Sequence, residues 1–241
     1  MDNILNNFTD LLNNRGIRLS ESQLHQFELY YRELVDWNER MNLTGIIERE
    51  QVYIKHFYDS LSVAFFCSYV GSFEDSRYRF RSRISQYSLE NCFSPSTGHH
   101  SGFFKQADSL FKSCNVFFLG LSDVQCVHAR AEDAARLPVH RDQYDLVTAR
   151  AVARMAVLNE FCLPFVSVGG LFVAMKGQGV QDEIEEASFS LRELRGQWLN
   201  THRFELPVEE STRHIVLITK TGPTPKKYPR KAGTPLKSPL I

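Results

Sequence analysis

Residues Tyr144–Gly177 read "YDLVTARAVARMAVLNEFCLPFVSVGGLFVAMKG". A short apolar run, "YDLVTARA", is followed by "VLNEFCLPFV", which the Gly169-Gly170 pair ends, and then by a second short apolar run, "LFVAMKG". Length and flanking glycines separate strands from helices in such runs, so the spacing predicts strand, helix, strand. Apolar strands joined in this order argue for an α/β fold whose mostly parallel sheet is covered on both faces.

The same grammar extends outward. Upstream, "DVQCVHA" reads as another short strand. Downstream, a helix is expected near Glu183 to Leu194, then "HRFELP" and "RHIVLITK" as a closing pair that adds an antiparallel strand at one edge. The N-terminal part is different in kind. Ser20 followed by Gln23 is a capping-box pattern, and Leu24, Phe27, Tyr31, Leu34 and Trp37 recur at helical spacing. A first helix from about Ile4 to Leu12, ended by Gly16, and a third from about Gln51 to Phe65 complete an all-helical cap. The expected organisation is therefore a cap over 1–70, an α/β domain over 71–220 and a basic, Pro/Gly-rich tail over 221–241.

Length and composition fit this plan. With 241 residues, 43% hydrophobic and 23% charged, the chain can bury a real core. Lys+Arg and Asp+Glu are equal at 28 each, so net charge alone points to no polyanion, and any nucleic-acid contact must come from a local basic patch. The five cysteines are scattered without C-x-x-C pairs, and no signal-like h-region or long apolar span is present, which favours a reducing, cytoplasmic setting.

One stretch breaks the pattern. A sheet of this class binds its ligand at the carboxyl ends of the strands, and the first strand-to-helix turn carries glycines that let a backbone approach the ligand. That first β-α-β unit should fall between about Phe73 and Leu119. In its place stands "DSRYRFRSRISQYSLENCFSPSTGHHSGFFKQ", Asp75–Gln106, with arginine at every second position from Arg77 to Arg83 and neither helical nor strand periodicity.

The genetic code offers an explanation. Arginine can be encoded AGG, whose last two bases begin a glycine codon, so Arg79, Arg81 and Arg83 read one base later become Gly-x-Gly-x-Gly. Permitted codons for Ser76 to Ser88, read from the second base, give Leu-Asp-Ile-Gly-Ser-Gly-Ala-Gly-Phe-Pro-Ser-Ile. From His99 to Phe104 the shifted frame can read Thr-Ile-Val-Asp-Ser-Leu, which places an acid about 20 residues beyond the glycines, the spacing of a ribose-binding carboxylate. The expectation is an out-of-frame segment from about Phe73 to Leu119 with compensating shifts at its ends. The alternative is a genuine polar insertion.

Outside that segment the motifs "LVDWNERMNLTGI", "KHFYDSL", "ARAED", "YDLVTARAVA", "AMKG" and "KKYPRKAGTPLKSPL" stand together. They resemble the glucose-inhibited division protein B family, the methyltransferases acting on guanine N7 in 16S ribosomal RNA of the small subunit. The resemblance covers about Asn3 to Gly71 and Gly120 to Leu240. It implies a Rossmann-like class I methyltransferase sheet, S-adenosyl-L-methionine as cofactor, the small ribosomal subunit as partner and a monomeric enzyme. The family's Asp-Ile-Gly-x-Gly-x-Gly-Phe-Pro motif is absent from the written frame.

The resemblance also marks residues. Ala131 and Glu132 follow the strand ending near Ala129, where the cofactor's adenine would lie, with backbone amides near Ala131 and the Glu132 carboxylate as contacts. The other reading of Glu132 is a first-turn acid favoured by the helix dipole. Arg150, at the tip of "YDLVTAR", would hold cofactor or target nucleotide, or else make a surface salt bridge. Lys226, Lys227, Arg230 and Lys231 around Tyr228 would contact phosphates, with a base stacked on the tyrosine, or else belong to a solvated tail. His56 and Asp59 share a helix face, and Asn42 and Thr44 suit loop caps as well as ligands.

Guanine N7 carries a lone pair and no proton, so methylation there needs in-line positioning more than a base, and no metal cluster or cysteine nucleophile is called for. Two other classes remain open at this point: a nicotinamide-dependent oxidoreductase sharing the glycine turn, and a non-catalytic RNA-binding remnant.

Overall fold

The computed structural model describes residues 2–41, 44–67, 92–95, 100–103, 124–127, 129–150 and 152–241. They fall into two compact units. One holds the helices between Asn3 and Cys67 together with Leu206–Glu210; the other holds most of the sheet, its helices and the segment Ser211–Ile241.

In the first unit, α1 (Asn3–Asn13) starts at an Asp2 cap whose carboxylate accepts the Ile4 amide, and the chain turns out of it at Gly16 with φ +78°. The capping box forms as the sequence predicts. The Ser20 amide donates to Gln23 Oε1 at 2.8 Å and the Gln23 amide to Ser20 Oγ at 3.3 Å, at the entry to α2 (Glu21–Met41). The third helical stretch is longer and less regular than expected: α3 (Arg49–Val52), a π-helical turn (Tyr53–Tyr58), α4 (Asp59–Leu61) and α5 (Val63–Cys67). Its core is aromatic. Phe8 meets Phe27 and Tyr53 edge-on at 5.4 and 5.1 Å, and Phe57 lies 5.0 Å from both Phe27 and Tyr53. Such pairs add about 0.5–1.5 kcal/mol each beyond their buried area.

The second unit carries β1 (Cys92–Pro95), β2 (His100–Phe103), β3 (Val124–Val127), α6 (Ala131–Ala134), β4 (Tyr144–Arg150), α7 (Met155–Cys162), β5 (Val166–Lys176), α8 (Val180–Glu186), α9 (Ser188–Glu193), β6 (Gly196–Glu205), β7 (Thr212–Lys220) and α10 (Thr234–Lys237). The described strands form one sheet in the order β3-β2-β1-β4-β5-β7-β6. β4 and β5 are parallel around α7, and β6-β7 is the expected antiparallel pair at one edge. Five consecutive residues of β5, Leu171 to Met175, are buried, as a strand covered on both faces requires.

Two details of the deciding segment differ from its reading. The helix ends at Cys162, because Pro164 lacks an N–H and the chain passes into a 3₁₀ turn over Leu163–Phe165. The glycine pair lies inside β5 rather than between helix and strand. Tyr144 pairs with Val166 and Leu146 with Leu171, so the register shifts there, and Gly169 takes φ +86°. The helix expected over Glu183 to Leu194 is likewise two helices, broken at Ala187.

The first β-α-β unit expected between Phe73 and Leu119 lies largely outside the described residues. Its described parts, β1 and β2, form an antiparallel pair, and β1 is antiparallel to β4. Only residues 96–99 separate them, too few for the crossover that parallel strands need. The sheet is therefore mixed rather than mostly parallel.

α7 reads "MAVLNEFC", and all eight of its residues are buried. A helix enclosed all round must find partners for its polar side chains. Asn159 Nδ2 donates to Ser190 Oγ at 2.9 Å, and Glu160 is paired from the C-terminal segment, as described below.

Candidate cofactor and RNA site

Parallel pairing brings the carboxyl ends of β4 and β5 to one rim, with Arg150 opposite Met175 and Lys176 next along β5. Arg150 is half-buried at the strand tip, where the sequence places it. Lys176 is a functional candidate that the sequence reading passed over. Its Nζ donates to the Ala153 carbonyl at 2.8 Å and pairs with Glu183 Oε2 at 2.7 Å, both side chains being largely enclosed. Glu183 also accepts the Met155 amide at 2.9 Å, satisfying one open donor of α7. Together these contacts tie Ala153 and the start of α7 to the end of β5. The signal was the one used for Arg150, a cation following an apolar strand at the ligand rim.

Beyond β3, the chain enters α6 at Ala131. The Ala131 and Glu132 amides belong to the first turn, where a helix has no acceptor of its own for them. Glu132 is only 5% exposed, and its Oε1 accepts the Gly233 amide at 2.8 Å. The carboxylate read as a cofactor contact thus already holds the C-terminal segment.

That segment is packed, and the solvated reading of it is corrected. Tyr228 is 5% exposed and belongs to the core, so its ring has no face open for a base. Its hydroxyl donates to Glu193 Oε2 at 2.9 Å, and Lys227 Nζ pairs with the same oxygen at 2.6 Å. Arg230 donates through its backbone amide at 2.7 Å and its guanidinium at 2.7–3.1 Å to Glu160, whose side chain is fully enclosed. Lys226 and Lys231 are exposed, as is Lys237. The four tail cations thus divide: Arg230 and Lys227 are engaged within the unit, while Lys226 and Lys231 face solvent. A physical cause is visible: a carboxylate inside α7 cannot stay buried unpaired, and Arg230 neutralises it.

In the helical unit, Thr44 acts as a turn cap. Its hydroxyl accepts the Ile46 amide at 3.1 Å and lies 3.4 Å from His56 Nε2, and Asp59 is buried. Asn42 lies outside the described residues. Among the described residues no cluster of His, Cys, Asp or Glu has the makings of a metal site, and no helix is long and apolar enough to cross a membrane.

Comparison with known proteins joins this geometry to a family. The model of the family described as rRNA small subunit methyltransferase G matches residues 23–74 and 114–216, two blocks on either side of the arginine-rich stretch. The ribosomal RNA small subunit methyltransferase G of Bacillus cytotoxicus is 45% identical over 238 residues, 97% of each chain. That of Halalkalibacterium halodurans is 45% identical over 240 residues, 97% of this chain and 98% of its own. Among solved structures, TYW2 of M. jannaschii in complex with AdoMet is similar at a TM-score of 0.39 and 13% identity, over 50% of this chain and 57% of that one. With its motifs matched in both blocks and near-full-length relatives at this identity, the chain belongs to the rRNA small subunit methyltransferase G family.

Proposed function

We propose that this chain is the scaffold of an S-adenosyl-L-methionine-dependent methyltransferase that acts on N7 of a guanine in 16S rRNA of the small ribosomal subunit, as a cytoplasmic monomer. The observation that carries the reading is the 45% identity to small-subunit methyltransferases along 97% of the chain. The cofactor supplies an electrophilic methyl group on a positively charged sulfur. Bound here, it would give that methyl group to the N7 lone pair and leave as S-adenosylhomocysteine. No proton moves, so what the protein supplies is position and electrostatics. Arg150, at the tip of β4, offers a planar donor to cofactor or nucleotide, and the first-turn amides of α6 suit the adenine side.

The methionine side does not fit the written sequence. We propose further that about Phe73 to Leu119 is read out of frame. The family model's match stops at Glu74 and resumes at Cys114, which leaves most of this stretch unmatched, the described strands within it pair antiparallel, and arginines stand where the shifted frame has glycines. A Cβ disfavours the positive φ that such a turn uses, so the written chain should bind the cofactor weakly. Resequencing the gene across codons 70 to 122 decides this. Absence of any frame encoding Gly-x-Gly-x-Gly there removes the proposal. The activity is tested by release of S-adenosylhomocysteine from the frame-restored chain, which should require small-subunit RNA. Equal release with large-subunit RNA, or none with either, overturns the substrate assignment.

A further inference from the structure

The segment after β7 contributes no strand to the sheet, yet most of its anchors are on α6, the turns after it, or α7, the others being Glu193 of α9, which holds Lys227 and Tyr228, Arg195, which accepts from Thr221, and Lys220 of β7. Lys220 Nζ, fully enclosed, donates to Thr224 Oγ1 at 2.7 Å and to Asp142 Oδ1 at 2.9 Å, and Asp142 also accepts from Thr224 Oγ1 at 2.6 Å. Arg141 donates to the carbonyls of Thr224, Pro225 and Tyr228 at 2.9, 3.1 and 2.8 Å. Arg136 donates twice to the Pro229 carbonyl, at 3.2 and 2.8 Å. Glu160 holds Arg230, and Glu132 takes the Gly233 amide. The end is pinned as well, since Leu240 is buried in the core and Arg230 donates to the Ser238 carbonyl.

These contacts differ from ordinary tail packing in where they fall. Four of the anchoring side chains, Glu132, Arg136, Arg141 and Asp142, lie within eleven residues of sequence that begin at α6. α6 itself is one turn long, and an isolated turn of that length has no stability of its own. Its position must be imposed from outside.

We propose that the segment Thr224–Leu240 is a strap that sets the position of α6, with Arg136 and the Glu132 carboxylate as positioning groups, so that this carboxylate serves the cofactor site by holding Gly233 while the first-turn amides face the adenine side. The strap rests on the α6 loop being the adenine side of the site. Arg136 grips Pro229 from the C-terminal side of α6 and Glu132 grips Gly233 from within its first turn, so the helix is held between two points of one segment. Loss of either grip frees the first-turn amides without disturbing the sheet.

The test has two arms. Amide hydrogen exchange is followed in the full chain at residues 133–135, whose amides bond to the Arg130 and Ala131 carbonyls, with the β5-β7 amides as internal reference. Arg136→Met and Glu132→Leu should each speed exchange at 133–135 by about tenfold or more, through the loss of two charged hydrogen bonds and one respectively, with the reference unchanged. Glu132→Gln keeps an acceptor for Gly233 and should retain protection. In the frame-restored chain, Arg136→Met should raise the KM for S-adenosyl-L-methionine by about tenfold, with a much smaller change in kcat. Unchanged exchange and KM in Arg136→Met, or Glu132→Gln behaving as Glu132→Leu does, overturns the strap. Should no chain transfer a methyl group, the methyltransferase reading fails and the exchange arm still decides whether the strap holds α6.

Discussion

Glu160, fully enclosed within α7, is neutralised by Arg230, which reaches it from the C-terminal segment with both its backbone amide and its guanidinium. Removing the guanidinium leaves a buried carboxylate with the residue-230 amide but no counter-charge, a loss of about 3–5 kcal/mol. Arg230→Ala should therefore lower the denaturation midpoint sharply, and Glu160→Gln should recover part of that loss in the double variant. An Arg230→Ala protein of normal stability that binds RNA less well would return this arginine to the phosphate-contacting role read from the sequence.

The register shift in β5 gives a second expectation. A Cβ at Gly170 would stand 2.9 Å from the Asp145 carbonyl oxygen and 2.9 Å from Ser167 Oγ, whereas one at Gly169 meets open space. Gly170→Ala should cost about 1–3 kcal/mol through overpacking against backbone. Gly169→Ala, strained by its φ of +86°, should cost about 1 kcal/mol. Equilibrium unfolding of the two variants side by side checks the order, and a harmless Gly170→Ala would contradict the shifted pairing.

Stability should also depend on pH through His140. The residue is 7% exposed, its Nδ1 lies 2.6 Å from the Tyr144 hydroxyl, and burial holds its pKa below the ordinary 6.5. The unfolded chain then takes the proton first as pH falls. The contribution is complete above 6.5 and is lost as pH drops from there toward the folded value. His202 is shifted down by burial too and acts with the same sign. His140→Phe should flatten part of the slope of urea midpoint against pH on the acid side of neutrality. An unchanged slope would show that His140 titrates alike in both states.

Arg150→Ala in the frame-restored chain should impair transfer more than folding. The lost charged hydrogen bond is worth about 1.5–3 kcal/mol, or roughly tenfold and more in rate or affinity. Cofactor affinity and turnover equal to those of the parent would leave Arg150 as a surface ion-pair residue.

Much of this was legible in the chain. The β4-α7-β5 order followed from apolar runs and their lengths, and the strand-tip position of Arg150 from its place after the first run, because both signals are local. Lys176 carried the same local signal and was passed over. What the sequence could not supply were partnerships across long separations: Glu160 with Arg230 is seventy residues apart, and Glu132 with Gly233 one hundred and one. Tyr228 illustrates the consequence. Amid lysines, prolines and glycine it reads as a solvated stacking ring, yet it is buried. The first β-α-β unit was illegible for another reason, since the written residues there do not carry the pattern that the rest of the fold demands.

The most direct measurement is the position of the methyl group. Small subunits from cells lacking the gene are incubated with labelled S-adenosyl-L-methionine and either the written or the frame-restored chain, and the labelled nucleoside is isolated from the 16S rRNA. The restored chain should yield 7-methylguanosine and the written chain little or none. Label on another atom or base, or full activity in the written chain, would contradict the account.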